Sequence, residues 1–363
     1  MRRSRLVSRW LSLVVLTLCA CGRGASVPGP APHASSAVPP AAPSGTQPTV
    51  VDTAVAVVIP DPERGDAVWR VHSSGVAERV WPPRGAPPIV GGVAGPAGSD
   101  RMLPSPDLRY VAFVHDGVLK LHDLTQGTTV DIARAPKRAR GGKARSRSSR
   151  SPIPFITDWS PNGTELLYAF GTSDEPSHDD FFRYDPARAT STPVAMPGEF
   201  AGWLPTGELL VRNDELRVVS ASGATRSLTP GLHADPQVAL DAARTHLATF
   251  VPLDESYERT QLVSIDVRTA ERKPLAPPQH PADLQWPRWS PSGAKIACLA
   301  SDHRPDGHVF QGLWVDGARV GELTPDLYAH AWVDEDTIVL VHEKELVVLA
   351  IATGTVKGRT SVP

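Results

Sequence analysis

The sequence predicts an all-β fold, a single β-propeller of four-stranded blades preceded by a disordered tether. Three observations predict it. A tryptophan, a tight polar turn and an apolar strand recur as Trp159-Ser-Pro-Asn-Gly163, Trp203-Leu-Pro-Thr-Gly207, Trp289-Ser-Pro-Ser-Gly293 and Trp332-Val-Asp-Glu-Asp336. Two degenerate copies, Pro104-Ser-Pro-Asp-Leu108 and Ala239-Leu-Asp-Ala-Ala243, bring the units to six, with starts spaced by 36 to 55 residues, the size of a blade. Between them lie short alternating runs such as Leu262-Val-Ser-Ile265 and Leu346-Val-Val-Leu349, and no stretch shows helical periodicity.

The 363-residue chain begins with Arg2, Arg3, Arg5 and Arg9, followed by an apolar stretch from Trp10 to Leu18 and the small-residue end Leu18-Cys19-Ala20-Cys21. Such a leader, residues 1–20, reads as an export signal. Its apolar stretch falls short of the roughly 20 residues that a spanning helix needs. Leu18-Cys19-Ala20-Cys21 resembles the lipobox of bacterial lipoproteins, which implies that Cys21 is lipidated and becomes the first residue of the mature chain; an ordinary signal peptide is the alternative. Gly22, rather than Asp, follows the cysteine. The resemblance then implies a cell-envelope protein anchored in the outer membrane and facing the periplasm. Arg2-Arg3 starts a twin-arginine signal whose remaining motif is missing.

Residues 21–49 hold the lipidated cysteine and a Pro/Ala-rich tether, with seven prolines and almost no large apolar side chain between Gly22 and Thr49. Such a composition cannot bury enough surface to fold. As a flexible coil it reaches about 30 Å, and as polyproline about 90 Å.

Residues 50–363 form the propeller. In Trp-Ser-Pro-Asn-Gly, proline fixes φ at the first corner, Asn or Asp tolerates the bend and glycine accepts positive φ, so the chain reverses within four residues. The indole ends the inner strand, where it can pack between blades. Ala54 to Pro83 supplies three strands of a further blade whose inner strand is not evident, giving seven blades; six is the alternative if those strands complete the last blade. The repeat resembles the WD40-like (PD40) repeat of TolB-like propellers and of prolyl oligopeptidase relatives, over about residues 50 to 360. TolB itself carries an additional α/β domain where this chain has a tether, so the resemblance implies the fold and does not carry over the Tol-Pal role.

Common catalytic signatures are missing: the sequence contains no Gly-x-Ser-x-Gly, P-loop, Gly-x-Gly-x-x-Gly or His-Glu-x-x-His. The expectation is a binding or scaffold module for a protein, peptide or glycan partner, without catalysis and without a cofactor. The alternative is a propeller enzyme of the lactonase or lyase type, with a site in the central channel.

Recognition is expected on one face. Turns between first and second strands, and between third and fourth, share a face, while the longer excursions fall on the other, the candidate binding surface. The insertion from Pro136 to Pro152 carries Lys137, Arg138, Arg140, Lys143, Arg145, Arg147 and Arg150 with no acid, and without those seven charges the mature chain drops from about −6 to about −13. It can hold anionic headgroups or glycans, or pair as a solvated linker with the neighbouring acidic loop. Without interleaved aromatics it is a poor nucleic-acid site. His178, Asp179 and Asp180, and Asp302, His303 and His308, complete the candidate loops. Neither cluster has zinc or calcium spacing, so no metal is expected. Cys298, in the apolar run Ile296 to Ala300, reads as a small buried hydrophobe.

Overall fold

The computed structural model describes residues 15–16, 53–59, 66–83, 102–134, 153–171, 180–231, 237–254, 259–277, 284–303, 309–324, 327–342 and 345–361. Its strands form seven antiparallel four-stranded sheets arranged in a ring. The first blade comprises β1 (Val15–Leu16), β2 (Ala54–Ile59), β3 (Ala67–His72) and β4 (Ala77–Trp81). The second holds β5 (Met102–Pro104), β6 (Tyr110–His115), β7 (Val118–Asp123) and β8 (Thr128–Arg134), the third β9 (Ile153–Trp159), β10 (Leu166–Gly171), β11 (Phe181–Asp185) and β12 (Thr190–Val194). Blade four runs through β13 (Glu199–Trp203), β14 (Leu209–Arg212), β15 (Leu216–Val219) and β16 (Thr225–Ser227), and blade five through β17 (Val238–Leu240), β18 (His246–Pro252), β19 (Thr260–Asp266) and β20 (Arg272–Pro274). The ring ends with β21 (Leu284–Trp289), β22 (Ile296–His303), β23 (Val309–Val315) and β24 (Ala318–Thr324), then β25 (Leu327–Asp334), β26 (Thr337–His342), β27 (Glu345–Ala350) and β28 (Thr355–Ser361). The predicted seven blades are thus present. The segment from residue 54 forms a blade of its own and does not complete the last one.

Seven apolar cores lie at the seven blade junctions. Along β10, Leu166 and Tyr168 enter the core shared with blade two, whereas Leu167 and Ala169 enter the one shared with blade four. A middle strand is therefore covered on both faces, which is why these segments read as nearly continuous apolar runs.

Closure joins the last blade to the first by side-on packing. Val55, Val57, Ile59 and Trp69 of blade one meet Ala331, Val333, Val339 and Val348 of blade seven. Lys357 Nζ donates to Ser73 O at 3.3 Å and to Thr337 Oγ1 at 2.7 Å, stitching β28 to the β3–β4 turn. The backbones touch there, since a Cβ on Gly358 would overlap the carbonyl oxygen of Gly75. We expect Gly358→Ala to lower stability by about 1–3 kcal/mol, the usual cost of forcing extra volume into a packed contact. Denaturant titration checks this, and an unchanged midpoint would mean that the closure is looser than described.

Candidate functional site

The turn face is held by repeated side-chain–backbone bonds. Ser160 Oγ donates to Asn162 Oδ1 at 2.8 Å and accepts from Glu165 N at 2.8 Å, while Gly163 sits at φ +70°. Ser105 repeats this with Asp107 and Tyr110 at 2.6 and 2.9 Å. Asp241 takes the serine place in blade five and accepts from Thr245 N at 2.7 Å and His246 N at 3.1 Å. This corrects the sequence alignment by one residue, because Arg244 N bonds Asp241 O as Gly163 N bonds Ser160 O. The glycine corner is filled there by Arg244 at φ +56° and in blade two by Leu108 at φ +53°. A non-glycine residue in that region costs ~1–2 kcal/mol. Both side chains are used elsewhere: Leu108 packs between blades one and two, and Arg244 Nη1 donates to Trp203 O at 2.8 Å.

Indoles latch successive blades. Trp159 Nε1 donates to Leu103 O at 3.1 Å, Trp289 Nε1 to Ala239 O at 3.1 Å, and Trp332 Nε1 to Arg288 O at 2.9 Å. Each acceptor belongs to the inner strand of the preceding blade. Trp203 is as buried as Trp332, at 1 % exposure, yet its Nε1 has no hydrogen-bond partner. The Arg183 guanidinium stacks on its ring instead, 4.8 Å from the centroid, and Arg183 Nη2 donates to Gly207 O at 3.2 Å.

Two titratable groups are perturbed near these junctions. Asp158 precedes Trp159 at the turn-face end of β9, and burial pushes its carboxyl up to about 6 although the Arg244 charge and the Trp159 N–H favour ionisation. Its carboxyl can therefore exchange a proton near neutral pH beside a guanidinium. His330, 2 % exposed between blades six and seven, bonds Ala297 O through Nε2 at 3.3 Å and leaves Nδ1 without a partner. Burial, with the nearby Arg288 charge, holds its imidazole down to about 3. Asp158, Arg183, Arg244 and His330 were absent from the sequence-based candidates. The legible signals were an acid directly before a buried tryptophan and an arginine in a glycine corner.

The predicted loop residues fare differently. Cys21, Lys137, Arg138, Arg140, Lys143, Arg145, Arg147, His178, Asp179 and His308 lie outside the described residues. Asp180 is exposed, and its carbonyl accepts from Phe170 N at 3.1 Å where β10 gives way to β11. Asp302 and His303 end β22, their backbones paired with Phe310 and Val309. Blades three and six stand on nearly opposite sides of a seven-membered ring, so the backbone of Asp180 lies far from that of Asp302 and His303. Among the described residues, no three His, Cys, Asp or Glu side chains are grouped to hold a metal. Cys298 is fully buried in the core between blades five and six, and burial pushes its thiol up, as befits a packing residue. No helix among the described residues is long and apolar enough to cross a membrane.

The ring and its meander blades decide the fold. The chain is a seven-bladed β-propeller. No protein-family model and no curated protein matches the sequence. Among solved structures it resembles an oligogalacturonate lyase in complex with manganese, at 13 % identity and TM-score 0.51, covering 80 % of this chain and 82 % of that one. It also resembles a puromycin-hydrolysing peptidase from Mycobacterium tuberculosis, at 17 % identity and TM-score 0.50, over 85 % of this chain and 52 % of that one. TolB from Acinetobacter baumannii aligns at 16 % identity and TM-score 0.45, over 74 % of this chain and 62 % of that one. The chain thus spans less than two thirds of TolB and about half of the peptidase. At such identities the likeness is one of fold.

Proposed function

We propose that this chain is a lipid-anchored protein of the cell envelope, held at the outer membrane facing the periplasm. Its propeller serves as a binding or scaffold module for a protein, peptide or glycan. The reading is supported by the division of the ring into two unlike faces. On the turn face, inner and second strands are joined by short turns pinned through Ser105, Ser160, Asp241 and Ser290, the last accepting from Lys295 N at 3.1 Å. Turns between third and fourth strands are pinned in the same way, Asp123 accepting from Thr125 N at 2.8 Å and Asp266 from Thr269 N at 2.7 Å. On the other face, the connections from Arg134 to Ile153, Gly171 to Phe181, Pro252 to Thr260 and His303 to Val309 leave the ladder with sequences rich in charge. Variable loops on a rigid ring are the usual seat of recognition.

The anchor is tested by fractionation. Cys21→Ser is expected to move the protein from the membrane to the soluble envelope fraction, and undiminished membrane retention would overturn the assignment. The partner is sought by in-cell photocrosslinking from positions in 136–152 and 301–311, with positions 107 and 162 on the turn face as controls. Equal capture from both faces would overturn the loop-face reading.

A further inference from the structure

Among the described residues, the inner strand of the first blade differs from those of the other six. In the other six blades this strand has three to eight residues and is joined to the second strand by a local turn. In the first blade it is Val15–Leu16, two residues drawn from the apolar stretch of the leader, with residues 17–53 intervening before β2. The ladder has only two pairs, Val15↔Val57 and Leu16↔Ala56, whereas on its other side β2 pairs with β3 from Ala54 to Ile59. The inner edge of β2 is thus filled at its centre by a segment that an export signal would lose.

Both faces of β2 are covered. Val55, Val57 and Ile59 pack against blade seven, and Ala56 and Val58 against blade two. What β2 has left to offer is its inner backbone edge, flanked by apolar side chains of the neighbouring inner strands, Met102 on one side and Ala331 and Val333 on the other. Hydrogen-bonding groups in such a setting are costly to leave unpaired. An extended backbone satisfies them by adding a strand, with alternate side chains read by the flanking pockets.

We propose that the inner edge of β2 is a strand-acceptor site, occupied by Val15–Leu16 while the leader is attached and, once cleavage before Cys21 vacates it, taken by an extended, proline-free apolar segment of another polypeptide. The proposal rests on the reading of residues 1–20 as a cleaved leader. The chain's own tether is a poor substitute. Its longest proline-free runs, Gly22 to Val27 and His33 to Val38, each contain a single residue of high strand propensity.

The test uses the processed protein extracted from membranes, with intact mass first reporting whether residues 1–20 are gone. A mass that still includes them refutes the leader reading and, with it, a vacated slot. For the cleaved protein, hydrogen exchange is followed over residues 54–59, with and without a lysine-flanked peptide carrying Ser12 to Thr17. The amides of β2 turned away from β3 are expected to exchange fast in the protein alone and at least about tenfold slower with the peptide. The same peptide with V15P and L16P should give no protection. Slow exchange without any peptide would mean that the tether or a rearrangement fills the slot, and fast exchange at saturating peptide would mean that the edge accepts no strand. Either overturns the proposal.

Discussion

Trp332→Ala is expected to destabilise the ring by about 3–5 kcal/mol, as large-to-small changes of buried aromatic residues do. Trp332 is 1 % exposed, packs in the core between blades six and seven, and holds Arg288 O across the junction. Phenylalanine separates packing from latch. Trp332→Phe and Trp159→Phe leave a ring in the core but strip the partner from a carbonyl of the preceding blade, whereas Trp203→Phe removes an N–H that bonds nothing. Deleting a buried group whose partner is then unsatisfied costs ~1–3 kcal/mol, while deleting one that is already unsatisfied is nearly neutral in that respect. The first two variants should therefore lose about 1 kcal/mol more than Trp203→Phe, with the Arg183 stack surviving in weakened form on the smaller ring. Equilibrium unfolding of the three variants checks the order. Equal losses would show that the indole bonds contribute nothing beyond packing.

The contrast among these tryptophans also shows what the sequence could reveal. Four appear identical in the repeat, yet Trp159, Trp203 and Trp332 are nearly inaccessible while Trp289 is only partly buried. In β21, which ends at Trp289, the register shifts between Gln285 and Arg288, and Trp286 sits at φ +52°. Such a register shift leaves no periodic mark in the sequence. Turn chemistry, by contrast, is local: Ser-Pro-Asn-Gly closes on itself through Ser160, so the blades and the division of faces were legible. Arg244 left the fifth unit recognisable but aligned one residue off, because it occupies a corner that the pattern reserves for glycine. The inner strand of blade one was illegible for a different reason. Val15–Leu16 reads as part of an export leader, and pairing across residues 17–53 has no periodic signature. The candidate loop residues were chosen by charge and length alone, and only Asp180, Asp302 and His303 among them fall on described backbone.

The dependence of stability on pH should expose Asp158 and His330 as opposing terms. An aspartate raised from 3.8 to about 6 on folding binds its proton more tightly in the native state, so its contribution is fully present below about pH 4 and is lost as pH rises through 6. A histidine lowered from 6.5 to about 3 binds its proton more tightly when unfolded, so its contribution is present above about pH 6.5 and is lost as pH falls towards 3. Both act between pH 4 and 6 with opposite signs, each worth at most about 1.4 kcal/mol per pH unit. In the unmodified protein they largely cancel. Asp158→Asn leaves the histidine unopposed, and its stability relative to the parent should rise from pH 4 to 6. His330→Phe leaves the aspartate unopposed, and its relative stability should fall over the same interval. The phenyl ring also removes the unpartnered Nδ1 but gives up the bond to Ala297 O, a constant offset that leaves the slope intact. Urea midpoints at half-unit steps of pH measure both slopes. Parallel profiles for parent and variants would mean that neither group is desolvated in the folded ring, whereas a change in only one variant would assign the surviving slope to a single blade junction.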